Sequence, residues 1–272
     1  MVCDKIAIIG IGNMGSALVK GIVRKGIIPS ENIILYDTDS EKTEKLAEEI
    51  GATASFDLKE AVGSSGTVIL CVKPNIVLNV AEEISSYLNK GTVVCSIAVG
   101  IPISRYREYI SNECDFFRIM PNTPALVGEG MSVISFEEGT KKDSVERVLK
   151  IFSCAGKTQI LDEKFMNQVT ALTGSSPAYV FMMIEAMGNA GVKSGIPADV
   201  SYRLAAQAVL GSAKMVLESG LHPAVLKDRV CSPAGTTIEA VEALEKSNFR
   251  YALMEAMNRC TERAKEISGG KG

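Results

Sequence analysis

Six residues near the amino end, Gly10-Ile11-Gly12-Asn13-Met14-Gly15, carry the spacing G-x-G-x-x-G. They follow the apolar run Ile6-Ala7-Ile8-Ile9 directly and open a stretch of helical periodicity, Met14 to Lys25. In that setting Gly10 permits a tight turn, Gly12 lets the backbone approach a pyrophosphate, and Gly15 lets the helix lie close to the strand. The helix start offers unpaired N–H groups to phosphate. Gly10, Ile11, Gly12, Asn13, Met14 and Gly15 are therefore candidate dinucleotide contacts. Asp37 ends the next apolar run, where a carboxylate bonds the adenine ribose hydroxyls and leans the choice towards NADH. Lys42 and Lys45 stand near enough to keep NADPH open. A second reading of Asp37 or Asp39 is that it only starts the following helix.

Three later turns also sit where strands end. They are Cys71-Val72-Lys73-Pro74, Ser96-Ile97-Ala98-Val99-Gly100 and Met120-Pro121-Asn122-Thr123-Pro124. The carboxyl ends of parallel strands form the ligand crevice of an open α/β sheet. Cys71, Val72, Lys73, Pro74, Ile97, Ala98 and Val99 are thus candidates to line that crevice, and Pro121 and Asn122 either meet the nicotinamide end or are simply a turn. Further on, Thr173-Gly174-Ser175-Ser176-Pro177 and Ser232-Pro233-Ala234-Gly235-Thr236-Thr237 each bring hydroxyls and backbone N–H groups to a helix start. Such a start suits a carboxylate, and ordinary N-capping explains it equally well.

The elements that must hold these residues fall into two textures. Up to about residue 165, short β-branched runs alternate with helical stretches, the pattern of βαβ units and a parallel sheet. Lys5–Ile9, Ile33–Tyr36, Thr67–Val72, Thr92–Ser96, Asp115–Ile119 and Met131–Ser135 are the strand candidates. Ser40–Glu49 and Lys141–Phe152 read as helices. From about residue 166 strand signals fade. Pro177–Val192, with Ser176 as N-cap, then Pro197–Leu217, Thr237–Lys246 and Arg250–Ile267 read as helices. The fold class is α/β: a Rossmann-type dinucleotide domain over 1–165, then an all-helical domain over 166–272. The run Val180 to Met187 is apolar nearly all round, which predicts burial on most sides and an oligomer interface. Ser268 to Gly272 reads as a frayed tail.

Composition narrows the chemistry. The 272 residues are 46% apolar with a net charge of −3, a globular balance that gives nucleic acid or an anionic membrane no purchase. The single histidine, His222, excludes zinc sites built on several imidazoles. It precedes Pro223 and reads as a turn before a helix. Cys3, Cys71, Cys95, Cys114, Cys154, Cys231 and Cys260 form no C-x-x-C pair, and their odd number argues against a disulfide framework. Cys71 and Cys95 read as small buried hydrophobes, and a reducing, cytoplasmic setting is expected. Met1 to Lys5 leads straight into the first apolar run without the pattern of a leader, and no apolar stretch reaches spanning length.

Taken together these residues resemble the pyrroline-5-carboxylate reductase family along the whole chain. The most specific segment is Leu226-Lys227-Asp228-Arg229-Val230-Cys231-Ser232-Pro233-Ala234-Gly235-Thr236-Thr237-Ile238, similar to the family signature. Leu172 to Tyr179, Val72-Lys73-Pro74 and Met120 to Pro124 resemble it too. The resemblance implies reduction of a cyclic imine, 1-pyrroline-5-carboxylate, to L-proline by NADPH or NADH. It implies a homodimer through the helical domain, with dimers often assembling further. It places the imine-contacting threonine at Thr237 and the substrate loop at Ser232, Pro233, Ala234, Gly235 and Thr236, with Ser175 beside them. The substrate carboxylate is expected on the N–H groups of Gly235 and Thr236. Asp37 departs from NADPH-preferring members, which tend to have small or hydroxyl residues there. Two other readings stand: a β-hydroxyacid dehydrogenase, which would need a lysine absent before Lys193, and a nicotinamide-sensing protein without catalysis.

Overall fold

A computed structural model of the chain describes residues 5–269; Cys3 and the last three residues of the expected tail lie outside them. In chain order the elements begin β1 (Ile6–Ile9), α1 (Asn13–Arg24), β2 (Ile33–Tyr36), α2 (Ser40–Ile50), β3 (Thr53–Ala54), α3 (Leu58–Gly63), β4 (Thr67–Leu70) and α4 (Val77–Ser85). They continue with β5 (Val93–Ser96), α5 (Ile103–Tyr106), β6 (Asp115–Met120), β7 (Gly130–Phe136), α6 (Lys142–Phe152), β8 (Gly156–Ile160) and α7 (Met166–Val169). Five helices follow: α8 (Ser176–Lys193), α9 (Ala198–Ser219), α10 (Pro223–Val230), α11 (Thr236–Lys246) and α12 (Phe249–Ser268).

The described strands form one sheet in the order β3-β2-β1-β4-β5-β6-β7-β8. Chain direction across the sheet reverses between β1 and β4, which makes that gap the switch point. Side chains alternate between the two faces. Ile6, Ile8, Leu35, Ile69, Cys95 and Phe117 face one layer with Leu18 and Ile22 of α1 and Phe152 of α6. Ala7, Ile9, Ile34, Val68, Val94 and Phe116 face the other, with Val62 of α3, Ile84 of α4 and Tyr106 of α5. A sheet buried on both faces explains why its strands read as continuous apolar runs.

The expected all-parallel pattern holds up to β6. β7 runs antiparallel to β6 and parallel to β8. Neither β3 nor β8 was visible in the sequence. β3 is two residues long, and β8 carries Lys157, Thr158 and Gln159 because an edge strand need not be apolar. No helix among the described residues is long and apolar enough to cross a membrane.

The chain divides into two compact units, one up to Ser175 together with the stretch from Cys260, the other Ser176–Arg259. The expected boundary at 165/166 falls earlier than this. Met166 and Val169 pack with Met120 and Val133 against the end of the sheet, so this segment belongs with the first unit. The Cys260 thiol reaches Ser175 Oγ at 3.2 Å, which draws the end of α12 to the same unit.

In the second unit α8 and α9 form an antiparallel pair. A Cβ on Gly188 would collide with the Tyr202 ring, and one on Gly191 with Ser201 Oγ, so both glycines are needed for the close approach. Ser201 Oγ donates to the Gly188 carbonyl at 2.7 Å, and the Tyr202 hydroxyl donates to Asn189 at 2.7 Å. The expectation that this half is buried on most sides fails within one chain. Only Gly188, Ser201 and Ala205 of the unit are buried, while Phe181 is 62% and Leu217 81% exposed. An apolar surface of this extent is larger than lone soluble chains usually expose.

Candidate active site

The glycine loop turns over the end of β1. Gly10 adopts φ +92°, a left-handed conformation suited to glycine, and its N–H donates to the Tyr36 carbonyl at 2.8 Å. A Cβ on Gly15 would strike the Gly10 carbonyl, so α1 can start this close to the strand only with glycine there. Gly12 is different: its φ is −59° and nothing of the chain lies within 4 Å of a Cβ built on it. No side chain caps α1, and its first turn holds no acidic residue. The open side of Gly12 and the uncapped helix start together make a cradle for an anionic group. Beside it, between the ends of β1 and β4, lies a cavity of about 360 Å³ lined by Gly10, Gly12, Tyr36, Asp37, Val72 and Lys73. These features fit a dinucleotide.

The two readings of the acidic pair separate cleanly. Asp39 caps α2, its Oδ1 accepting the Lys42 N–H at 3.1 Å. Asp37 instead turns to the glycine loop. Its Oδ2 accepts the Ile11 N–H at 2.8 Å and its Oδ1 the Asp39 N–H at 3.1 Å. Its own backbone holds this carboxylate in place, facing the cavity. Sequence reading missed Tyr36 and Glu83, which line the same cavity. Burial, then the Glu83, Asp37 and Asp57 charges, raise the Tyr36 hydroxyl above its ordinary range. Tyr36 directly precedes Asp37 and was findable. Glu83 is an exposed helix residue with no signal in the sequence.

At the end of β4, Cys71 N–H donates to the Ile9 carbonyl at 2.7 Å, and Val72 packs so closely that a Cβ on Gly10 would meet it at 2.9 Å. The Cys71 residue keeps some surface, but its thiol packs against the core, and burial pushes it up to about 12. It is an inert wall. Lys73 is exposed and Pro74 partly covered. In the next loop Ala98 is buried, with Ile97 and Val99 partly exposed above it.

Pro121 and Asn122 end β6, but Asn122 holds structure as well as space. Its Oδ1 accepts the Met131 N–H at 2.9 Å, and its Nδ2 donates to the Thr173 carbonyl at 3.1 Å. The reason lies in the sequence. The helical partner of the Thr173 carbonyl would be the N–H of residue 177, which is a proline and has none. Asn122 supplies the missing donor.

That region corrects a second expectation. Thr173 to Pro177 is not a loop before a capped helix. A π-helical turn, Thr170–Gly174, runs straight into α8, and the Ser175 N–H donates to the Thr170 carbonyl at 2.8 Å. Ser176 is the first residue of α8, not its cap. The Ser175 N–H is therefore not open to an anion, and its hydroxyl meets Cys260.

In the second unit, His222 caps α10, its Nδ1 accepting the Ala224 N–H at 3.2 Å. The reading of a turn before a helix is right, and the helix is α10, which opens on Pro223. After α10, Ser232 to Gly235 makes a tight turn closed by the Gly235 N–H on the Ser232 carbonyl at 3.1 Å. Pro233 followed by Ala234 at φ +55° is the pattern of a type II turn. A Cβ on Gly235 would collide with Ser232 Oγ. The expectation of a carboxylate on the Gly235 N–H is thus corrected, because that donor closes the turn. Thr236 and Thr237 open α11, and their N–H groups lie in its first turn, which has no side-chain cap. Thr237 is half-buried, and nothing among the described residues bonds its hydroxyl.

The family described as pyrroline-5-carboxylate reductase dimerisation matches residues 163–267, and the one described as NADP oxidoreductase, coenzyme F420-dependent, matches residues 5–100. The pyrroline-5-carboxylate reductase of Escherichia coli (strain K12) is 42% identical over 264 residues, covering 97% of this chain and 98% of that one. The chain belongs to the pyrroline-5-carboxylate reductase family. The Arabidopsis thaliana member is 39% identical over 97% of this chain and 95% of its own. The Plasmodium falciparum pyrroline carboxylate reductase, solved with NADP bound, superposes with a TM-score of 0.88 at 32% identity, covering 98% of this chain and 99% of that one. Membership displaces the hydroxyacid dehydrogenase alternative, and it holds for both units, since these relatives match 97% of the chain.

Proposed function

We propose that this chain reduces 1-pyrroline-5-carboxylate to L-proline with hydride from NADH or NADPH. Full-length similarity to reductases of that name carries the reading. The open Gly12 cradle and the uncapped start of α11 support it from the geometry.

The reaction asks little of acid–base groups. A protonated imine accepts hydride at carbon, a C–H bond forms, and the C=N π pair moves to nitrogen, leaving a neutral amine. The cofactor, when bound, supplies that hydride. Gly10, Ile11, Gly12, Asn13, Met14 and Gly15 cradle its pyrophosphate. Cys71 to Pro74, Ile97 to Val99 and Pro121 wall its nicotinamide end, with Asn122 holding that wall to the π turn. Thr237 is the catalytic residue, its free hydroxyl holding the ring nitrogen. The Thr236 and Thr237 N–H groups hold the substrate carboxylate. Ser232, Pro233, Ala234 and Gly235 shape that turn. Positioning is then the main source of rate. A chain with one histidine, used as a helix cap, suits a reaction that needs no imidazole. Loss of reduced-nicotinamide absorbance on adding the imine tests the reading. Binding of NADH with no turnover would favour the sensing protein instead.

Asp37 directs the choice to NADH, since a 2′-phosphate would meet a carboxylate fixed by two backbone N–H groups. Asp37→Ser is expected to shift the ratio of kcat/KM for NADPH over NADH upwards by about tenfold or more, one like-charge contact being worth about 1–2 kcal/mol. An unmoved ratio would remove Asp37 from cofactor choice.

The chain is expected to form homodimers through α8, α9, α11 and α12, whose apolar side chains Phe181, Met182, Leu210, Leu217 and Met254 are exposed in one chain. Light scattering behind size exclusion checks this, and a monomer at micromolar concentration would overturn it.

A further inference from the structure

The loop from Ile97 to Pro102 is held at each end by a polar group that the apolar layer does not require. At its start, Ser96 Oγ accepts the Ala98 N–H at 3.2 Å and pairs with the Tyr106 hydroxyl at 2.6 Å. At its end, the Ile103 N–H donates to Glu163 Oε1 at 2.8 Å, and Arg118 Nη1 donates to the same oxygen at 3.1 Å. Sheet register explains the grouping. Ser96, Arg118 and Ser135 are paired neighbours across β5, β6 and β7, one polar row in a layer otherwise made of Val94, Phe116 and Tyr106. Ser135 Oγ donates to the Leu161 carbonyl at 2.6 Å, which fixes the segment that delivers Glu163.

This arrangement is a poor way to gain stability. The Arg118 side chain is 5% exposed, and its Nη2 is buried with no partner among the described residues. A buried ion pair with an unsatisfied donor is commonly no better than apolar side chains of the same volume. Burial holds Tyr106 at about 12, so its hydroxyl stays a neutral bonding group. What the network does provide is a fixed position for both ends of one short loop.

We propose that Arg118 and Glu163 are positioning residues for the cofactor: through the Ile103 N–H they set where Ile97, Ala98 and Val99 stand against the nicotinamide end. This rests on the reading of those three residues as cofactor wall.

Glu163→Ala removes the acceptor for both donors. It is expected to raise the KM for the dinucleotide, and its Kd by nicotinamide fluorescence, about tenfold, with the imine KM within about twofold. Glu163→Gln keeps an oxygen for the Ile103 N–H and is expected to stay within about threefold of the parent. The double variant Arg118→Met/Glu163→Met separates position from stability, and it decides the matter if Glu163→Ala does not fold. Its Tm is expected to equal or exceed the parent's while its dinucleotide Kd rises as in Glu163→Ala. Parental Kd and KM in the double variant would overturn the proposal, as would equal losses in both KM values. Failure of the proposed reaction shows in the parent, as no turnover of the imine. Failure of the positioning role shows only in the variants.

Discussion

Gly12→Val is expected to weaken NADH and NADPH binding about a hundredfold while leaving the fold in place, a loss of about 2.7 kcal/mol at the cradle. The chain itself gives no reason for glycine at this position. Its φ of −59° is open to any residue, and a Cβ there meets nothing within 4 Å. The absent side chain therefore serves whatever approaches from outside. The cost to the fold is limited to a poorer N-cap, about 1 kcal/mol, or a Tm lower by about 2–4 °C. Gly15→Ala is the contrast, since its Cβ strikes the Gly10 carbonyl and must push α1 off β1. It is expected to lose Tm and binding together. Fluorescence titration and a thermal melt on both variants check this, and parental affinity in Gly12→Val would sink the cradle.

The sheet was legible because its central strands are buried on both faces, so Ile6–Ile9, Ile33–Tyr36 and Thr67–Leu70 announce themselves as apolar runs. The edges were not. β8 needs cover on neither face and carries Lys157, Thr158 and Gln159. The reversal at β7 left no mark either, because a strand paired on both sides has the same composition whichever way it runs. The helical half was read correctly as helix, and its apolar faces, expected at an oligomer interface, are exposed in one chain, since an apolar surface looks the same in sequence whether its own chain or another covers it.

Within the site, motifs that turn the backbone were readable and hydrogen-bond partners were not. Gly10 and Gly15 follow from spacing, and the structure gives each a steric reason. Gly235 was placed in the right turn but given the wrong role, because only the fold shows its N–H closing back on Ser232. Asn122 shows the same limit. Position at the end of β6 pointed to it, yet its partner Thr173 is 51 residues away, and the cause, a carbonyl orphaned by Pro177, needs the π turn to be seen. Arg118 and Glu163, 45 residues apart, had no signature at all.

Thr237→Ala is expected to lower kcat about a hundredfold and to change the imine KM by no more than about threefold. The hydroxyl sits in the first turn of α11, half-buried and bonded to nothing among the described residues, so it is free to follow a nitrogen whose charge and geometry change as hydride arrives. A bond that strengthens during that change lowers the barrier more than it tightens binding. The carboxylate stays on backbone N–H groups that the substitution leaves in place, which is why KM should hold. Alanine is the better helix former by a few tenths of a kcal/mol, so a lost fold cannot explain a lost rate. Thr237→Ser keeps the hydroxyl and is expected to keep most of kcat. If Thr237→Ala turned over at the parental rate, or if kcat and KM worsened equally in both variants, the hydroxyl would be a bystander. The reaction would then run on cofactor placement alone, with the N–H groups at the start of α11 serving only to hold the substrate.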